Sequence, residues 1–139
     1  MNRIDNNVRT CVSIFLCSLL LSACATTAPQ SEGIEQRAQA RWDAVLSDDL
    51  LAAYEFLSPG FRSGVTASQY QRYIMGKQVE WTGARYVKSD CLESTCKVTI
   101  SLDYAILGAL PGVKRFDATK DIEESWLMVD KVWYLVPES

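Results

Sequence analysis

Apolar and polar residues alternate with two different periods along this chain, which divides into a helical part and a strand part. Between Ile34 and Leu46 the apolar residues recur at helical spacing, with charged residues between them. This pattern predicts an amphipathic helix with Trp42 on its buried face and Arg41 on its polar face. Ser31 is the expected N-cap of this helix.

Two further helices are predicted before the period changes. The stretch DLLAAYEFL follows a cap at Ser47 or Asp48, and Pro59-Gly60 is expected to end that helix. Thr66 and Gln69 have the spacing of a capping box, which predicts a third, short helix in TASQYQRYIMG.

From Val79 onward the period is two, which is typical of strands with one buried face. The alternation is clearest from Cys96 to Tyr104. Two more strands are predicted over Ile122–Val129 and Val132–Val136, joined by a tight turn at Asp130-Lys131. Four antiparallel strands after a run of helices indicate an α+β fold.

Residues 105–120, AILGALPGVKRFDATK, interrupt the strand pattern with a proline and two glycines. They predict either a loose hairpin or a loop with an apolar lip. An exposed apolar lip would suit docking to another protein or to a membrane surface, whereas a lip folded back on the domain would cover it.

The N-terminus has the pattern of an export signal. A basic start is followed by the uncharged run Val12–Ala23, which as a helix spans roughly 18 Å and is too short to cross a bilayer of about 30 Å. Leu21-Ser22-Ala23-Cys24 resembles the lipobox of bacterial lipoproteins, which implies that Cys24 is acylated, for example with palmitate, and becomes the first mature residue. The alternative is an ordinary signal peptide with a chance cysteine.

These features predict three segments: a lipoprotein signal peptide over 1–23, a tether linker over 24–32 and a domain over 33–139. Two or three acyl chains would anchor Cys24 stably in the lipid bilayer. Because Ala25 rather than an aspartate follows the cysteine, the expected location is the outer membrane, with the domain facing the periplasm. A short linker keeps the domain close to the membrane surface.

Composition narrows the classes of function. The net charge is −3, so the chain lacks the basic surface that nucleic acids require. It contains no histidine, which excludes histidine-based catalysis and histidine metal sites. Cys91 and Cys96 are an even pair in an exported chain, so a disulfide is expected, the alternative being free buried thiols. No cofactor and no metal site are predicted.

Two stretches, RWDAVLSDDLLAAYEFLSPGFR and EESWLMVDKVWYLV, resemble the early helix pair and the closing hairpin of the nuclear transport factor 2-like superfamily. The hairpin departs from the family pattern at Lys131, where a turn glycine is commoner. The resemblance implies helices packed on a curved four-stranded sheet in a cone-shaped, cystatin-like arrangement, with a pocket of the ketosteroid isomerase type. It also implies homodimerisation through the outer face of the sheet.

Candidate site residues follow from this resemblance and from the aromatic count. An isomerase-type site needs a carboxylate base and a tyrosine, for which Asp103, Tyr54 and Tyr104 are the nominees. Asp103 alternates onto the polar face of its strand, however, so no catalytic residue is assigned. The aromatic residues either fill a core or line a pocket: Trp42, Tyr54, Phe61, Tyr70, Tyr73, Trp81, Tyr104, Trp126 and Trp133.

Four acidic residues near the third strand lack the spacing of a calcium loop and are interpreted as a solvated edge that discourages aggregation: Asp117, Asp121, Glu123 and Glu124. The leading hypothesis for function is a non-enzymatic envelope lipoprotein domain that binds a protein partner or assists an assembly. The alternative is a pocket that binds, or less readily converts, a small apolar molecule.

Overall fold

The computed structural model describes residues 33–110 and 112–138. Four helices precede four strands, and this confirms the expected α+β arrangement. The helices are α1 (Ile34–Leu46), α2 (Leu50–Glu55), α3 (Pro59–Gly64) and α4 (Ala67–Met75). The strands are β1 (Glu80–Leu92), β2 (Thr95–Leu110), β3 (Val113–Val129) and β4 (Val132–Val136).

Side-chain caps start α2, α3 and α4, and the cap of α2 differs from the sequence prediction. Asp49, rather than Ser47 or Asp48, caps α2, because its side chain accepts a hydrogen bond from the backbone N–H of Ala52. The expected N-cap of α1 at Ser31 lies outside the described residues; the residue before the helix is Gly33, at a φ of 78°.

Pro59 starts a helix instead of only ending one. Ser58 is the N-cap of α3 and its hydroxyl accepts from the N–H of Phe61, while Pro59 occupies the first turn, where no N–H is needed. The capping box between Thr66 and Gln69 is present at the start of α4, as predicted.

The sheet is antiparallel throughout, with its strands in chain order β1-β2-β3-β4. The turn at Asp130-Lys131 is confirmed: both residues have positive φ, at 51° and 65°, as a two-residue hairpin turn with right-handed twist requires. Cys91 and Cys96 are register partners 4.0 Å apart at their Cα atoms, and their sulfur atoms are at disulfide distance.

Of the two alternatives expected for residues 105–120, the hairpin is confirmed and the loop with an apolar lip is wrong. β2 and β3 continue through these residues as one long hairpin, with Ile106 opposite Phe116 and Leu107 opposite Arg115. The hairpin accommodates both glycines near a register shift. Gly108 and Gly112 have left-handed φ values of 65° and 84°, which glycine adopts without strain.

The core lies between the helices and the inner face of the sheet. Buried side chains of α1 share it with Ala84 of β1 and with alternate residues of β2, β3 and β4, and the largest fully buried side chain is that of Trp126. Trp42 is also buried, as its position on the helical stripe predicted. Among the described residues no helix is long and apolar enough to cross a membrane.

Candidate binding cleft

A cleft of about 310 Å³ opens where α1 and α4 meet the sheet. Its walls are mainly apolar and aromatic side chains from both helices and from three strands. The residues that line it include Trp42, Val45, Leu57, Tyr70, Tyr73, Ile74, Trp81, Ile122 and Leu135. Trp42 and Trp81 meet edge to face with ring centroids 5.7 Å apart, which fixes one wall.

The structure brings four of the nine predicted pocket aromatics to this cleft: Trp42, Tyr70, Tyr73 and Trp81. Tyr73 stands at the rim, where its side chain is exposed and its hydroxyl lies 2.7 Å from Nζ of Lys77.

The other five predicted aromatics do not line the cleft. Tyr54 packs against Tyr70, and its hydroxyl donates to the carbonyl of Val65 at 2.8 Å. The other four are Phe61, partly buried against the core; Tyr104, partly buried opposite Trp81; Trp133, buried in the core; and Trp126, buried in the core beside the disulfide. Aromatic residues on a strand or helix face pack the core by default, so composition could not separate the two groups.

A buried ion pair forms the polar floor of the cleft. Nη1 of Arg41 lies 2.8 Å from Oε1 of Glu124, and both side chains are only 7% exposed. Glu124 also accepts hydrogen bonds from two indoles, Nε1 of Trp42 at 3.0 Å and Nε1 of Trp126 at 3.1 Å. Nη2 of Arg41 donates to the hydroxyl of Tyr70 at 3.3 Å.

This pair overturns two expectations. Glu124 does not belong to a solvated acidic edge, and Arg41 does not face solvent from the polar side of α1. Acidic residues without the spacing of a calcium loop usually lie at the surface, which is why the sequence predicts a solvated edge for all four. One signal was present, because Glu124 alternates in phase with Trp126 on the inner face of β3.

One polar atom of this cluster has no partner among the described residues. Nε of Arg41 is buried and makes no hydrogen bond, although the guanidinium plane stacks 4.4 Å from the Trp42 ring. A buried donor without a partner is costly, so a ligand or water that supplies an acceptor here would be favoured.

The nominated catalytic residues are not assembled into a site. Asp103 lies on the outer face of the sheet, where Nη1 of Arg85 is 2.6 Å from its Oδ2 and the Thr119 hydroxyl donates to its Oδ1 at 2.6 Å. These hydrogen bonds from Arg85 and Thr119 lower the pKa of Asp103 below its ordinary value of 3.8. Tyr54 is hydrogen-bonded within the helical layer.

The remaining acidic residues lie at the surface. Asp117 pairs with Arg115 at 2.8 Å and Glu123 with Lys97 at 3.2 Å, and Asp121 is exposed. No group of three potential metal-ligating side chains occurs among the described residues.

No protein-family model matches this chain, and no curated protein matches it in sequence. Among solved structures, the fold is similar to the solution structure of a SEC-C motif-containing protein from Rhodopseudomonas palustris. The two share 13% sequence identity over 73% of each chain, with a TM-score of 0.56. At this identity the likeness concerns the fold alone.

The expected membership in the nuclear transport factor 2-like superfamily is therefore wrong, since the structural likeness is to a SEC-C motif-containing protein and no family model supports the superfamily. The tryptophans of the quoted stretches, Trp42 and Trp126, both donate to Glu124. They reflect how this core packs, which is why the pattern did not identify a family. The comparisons give no support to a lipoprotein assignment either, and Cys24 lies outside the described residues.

Proposed function

We propose that this protein is a non-enzymatic binding domain that takes an apolar group of a protein partner into the cleft between α1, α4 and the sheet. The observation that carries this proposal is an open, mainly apolar cleft whose buried charges are already paired with each other. An apolar group entering it gains burial without having to separate the ion pair.

The polar groups of the cleft favour binding over catalysis. Glu124 accepts hydrogen bonds from three donors and Arg41 donates to two acceptors, so both side chains are held in place by other groups of the protein. A rigid polar floor under aromatic walls is typical of a site that orients a bound group.

Two register shifts in β1 support the same proposal. β1 has register shifts between Trp81 and Gly83 and between Tyr86 and Lys88, and such bulges bend a strand and increase its twist. We propose that this bending wraps β1 around the helices, giving the open end of a cone in which the cleft lies.

The last part of the proposal concerns where the protein is located in the cell. Acylation of Cys24 would hold the domain at the periplasmic face of the outer membrane, with the cleft within reach of other envelope proteins. Labelling with a palmitate analogue tests this step directly: label incorporation should be lost in a Cys24→Ala variant. Incorporation that persists in that variant would contradict it.

Binding in the cleft is tested by filling it. Ile74→Trp adds an indole to the cleft wall, while Leu51→Trp adds the same group at an exposed position of α2 outside the cleft. After crosslinking in intact cells, we expect the partner adduct to be lost in Ile74→Trp and retained in Leu51→Trp. Equal adducts in both variants, with both folded by circular dichroism, would refute a role for the cleft.

A small apolar ligand with one hydrogen-bond acceptor is the second candidate. The unpartnered Nε of Arg41 favours it, as does a volume at the lower end of small-molecule pockets, which start at about 300 Å³. Native mass spectrometry of the protein from its own envelope separates the candidates. A stoichiometric mass of a few hundred daltons indicates a small ligand, and a second polypeptide indicates a partner.

A further inference from the structure

The outer edge of β3 is open over most of its length. β4 pairs with β3 only from Ser125 to Val129, and Pro137 follows β4 directly and has no N–H to extend the ladder. From Val113 to Glu124, no group of the described residues bonds to that edge. Every second residue there points its N–H and C=O away from β2, as in any antiparallel strand.

The edge of β1, by contrast, is partly closed by a side chain. Gln39 of α1 donates from Nε2 to the carbonyl of Ala84 at 3.1 Å, and its Oε1 accepts from the N–H of Tyr86 at 3.0 Å. One amide thus makes the pair of hydrogen bonds that a neighbouring strand would make.

The edge of β4 is closed as well. Leu135 donates its N–H to the carbonyl of Phe56 at 2.8 Å, and its own carbonyl accepts from Ser58 at 2.8 Å. Nε of Arg37 donates to the carbonyl of Trp133 at 2.9 Å. Within the described residues, specific groups therefore cover the edge of β4 and the stretch of β1 from Ala84 to Tyr86, whereas none covers Val113–Glu124 of β3. Open edges of this length are templates for pairing with another chain.

The open edge leads into the cleft. Ile122 and Glu124 of β3 line it, as do Val136 and Pro137 at the end of β4. A strand added beside β3 would lie in line with β4, and a side chain on its inner face near Ile122 would enter the cleft.

Charge on the same face limits what that strand can be. Lys114 and Lys120 are an even number of residues from Ile122 and therefore lie on the same face of β3. Both are exposed, and neither has an ion-pair partner among the described residues. Opposite charges on directly paired strands stabilise a sheet, and like charges destabilise it. The complementary strand therefore carries acidic residues beside its apolar anchor.

We infer that the outer edge of β3, Val113–Glu124, binds an extended segment of the protein partner as a fifth strand. An apolar side chain of that segment occupies the cleft and acidic side chains face Lys114 and Lys120. This inference rests on the proposed function, and it adds the form and the chemistry of the partner.

The test uses phage-displayed random linear peptides, selected on the mature protein as the cell produces it, followed by amide hydrogen exchange. We expect selected peptides to combine an apolar residue with acidic residues at every second position. They should slow exchange about tenfold or more at every second amide between 113 and 124, where a new ladder forms. Lys120→Glu should weaken binding about tenfold, whereas Lys88→Glu on exposed β1 should leave it unchanged.

The outcomes separate the two proposals. If peptides bind Ile74→Trp more weakly but leave the amides of 113–124 unprotected, strand addition is refuted and binding in the cleft is supported. If peptides protect those amides and bind Ile74→Trp as tightly as the wild type, strand addition is supported and binding in the cleft is refuted. A selection that yields no binding peptide overturns the inference, and so do peptides insensitive to Lys120→Glu.

Discussion

Removing the carboxylate of Glu124 should destabilise the domain more than any single surface change. The Glu124→Ala variant leaves the Arg41 guanidinium buried without its counter-ion, and it leaves the indole N–H groups of Trp42 and Trp126 without their acceptor. All four side chains are less than a tenth exposed, so water reaches the groups left without partners only through the cleft.

The magnitude follows from the burial of the pair. Breaking a buried ion pair by removing one partner costs about 3–5 kcal/mol, because an uncompensated charge remains. Glu124→Gln should cost less than Glu124→Ala. It keeps one acceptor oxygen, but its amide NH₂ must face either the guanidinium of Arg41 or the indole of Trp126, both of which are donors. The neighbouring Glu123→Ala, which breaks an exposed pair with Lys97, should cost under about 1 kcal/mol.

Urea denaturation followed by tryptophan fluorescence measures these free energies of unfolding, and urea leaves ion pairs unscreened. The double variant Arg41→Met/Glu124→Leu removes both charges, and its cost should be at least about 1 kcal/mol below the sum of the costs of Arg41→Met and Glu124→Leu made singly. If Glu124→Ala costs no more than Glu123→Ala, or if the two costs add, then Arg41 and Glu124 do not form the buried pair described above.

Three further predictions concern stability. Replacing Cys91 and Cys96 by serine should lower the free energy of unfolding by about 2 kcal/mol, as closure of so short a loop predicts; an unchanged urea midpoint would argue against the bond. Because Arg85 lowers the pKa of Asp103, the stabilisation from this carboxylate is present above its ordinary pKa of 3.8 and is lost as the pH falls through the lower folded value. Melting temperatures of wild type and Asp103→Asn should therefore converge in acid, and a constant difference down to the lowest pH would contradict this. Thr66→Ala removes the α4 cap and should cost about 1 kcal/mol in urea, with Thr66→Ser as the control that keeps it.

The elements of the fold were largely accessible from the sequence, because hydrophobic period and caps are local signals. The helical stripe around Trp42 and the capping box at Thr66 depend on residues three or four apart, and the structure has both. The same local signals left a choice between a hairpin and a loop for residues 105–120, and the structure has the hairpin. Its regularity comes from pairing across the turn, as between Ile106 and Phe116, and this overrides the local preference of Gly108 for a loop.

The polar floor of the cleft could not be predicted from such local sequence signals. Arg41 and Glu124 are 83 positions apart, and each looks like an ordinary surface charge when read within its own segment. Only the packing of α1 on β3 makes them partners, and only the two indoles complete the set of hydrogen bonds. A residue type that is rarely buried can therefore be recognised as buried only once its partner is known.

The groups that cover the sheet edges likewise cannot be recognised from local sequence, because their partners are distant along the chain. In the sequence Gln39 is one of several polar residues of α1, and nothing in its segment marks it as a substitute for a strand. Its two hydrogen bonds to β1 show that this fold closes edges with specific groups. Over Val113–Glu124 of β3, by contrast, no described residue plays that part, and the stretch ends at the cleft. The open edge of β3 lies beside an apolar cleft, while β4 is covered and β1 is covered in part, and this contrast supports the inference that Val113–Glu124 receives a strand of a partner.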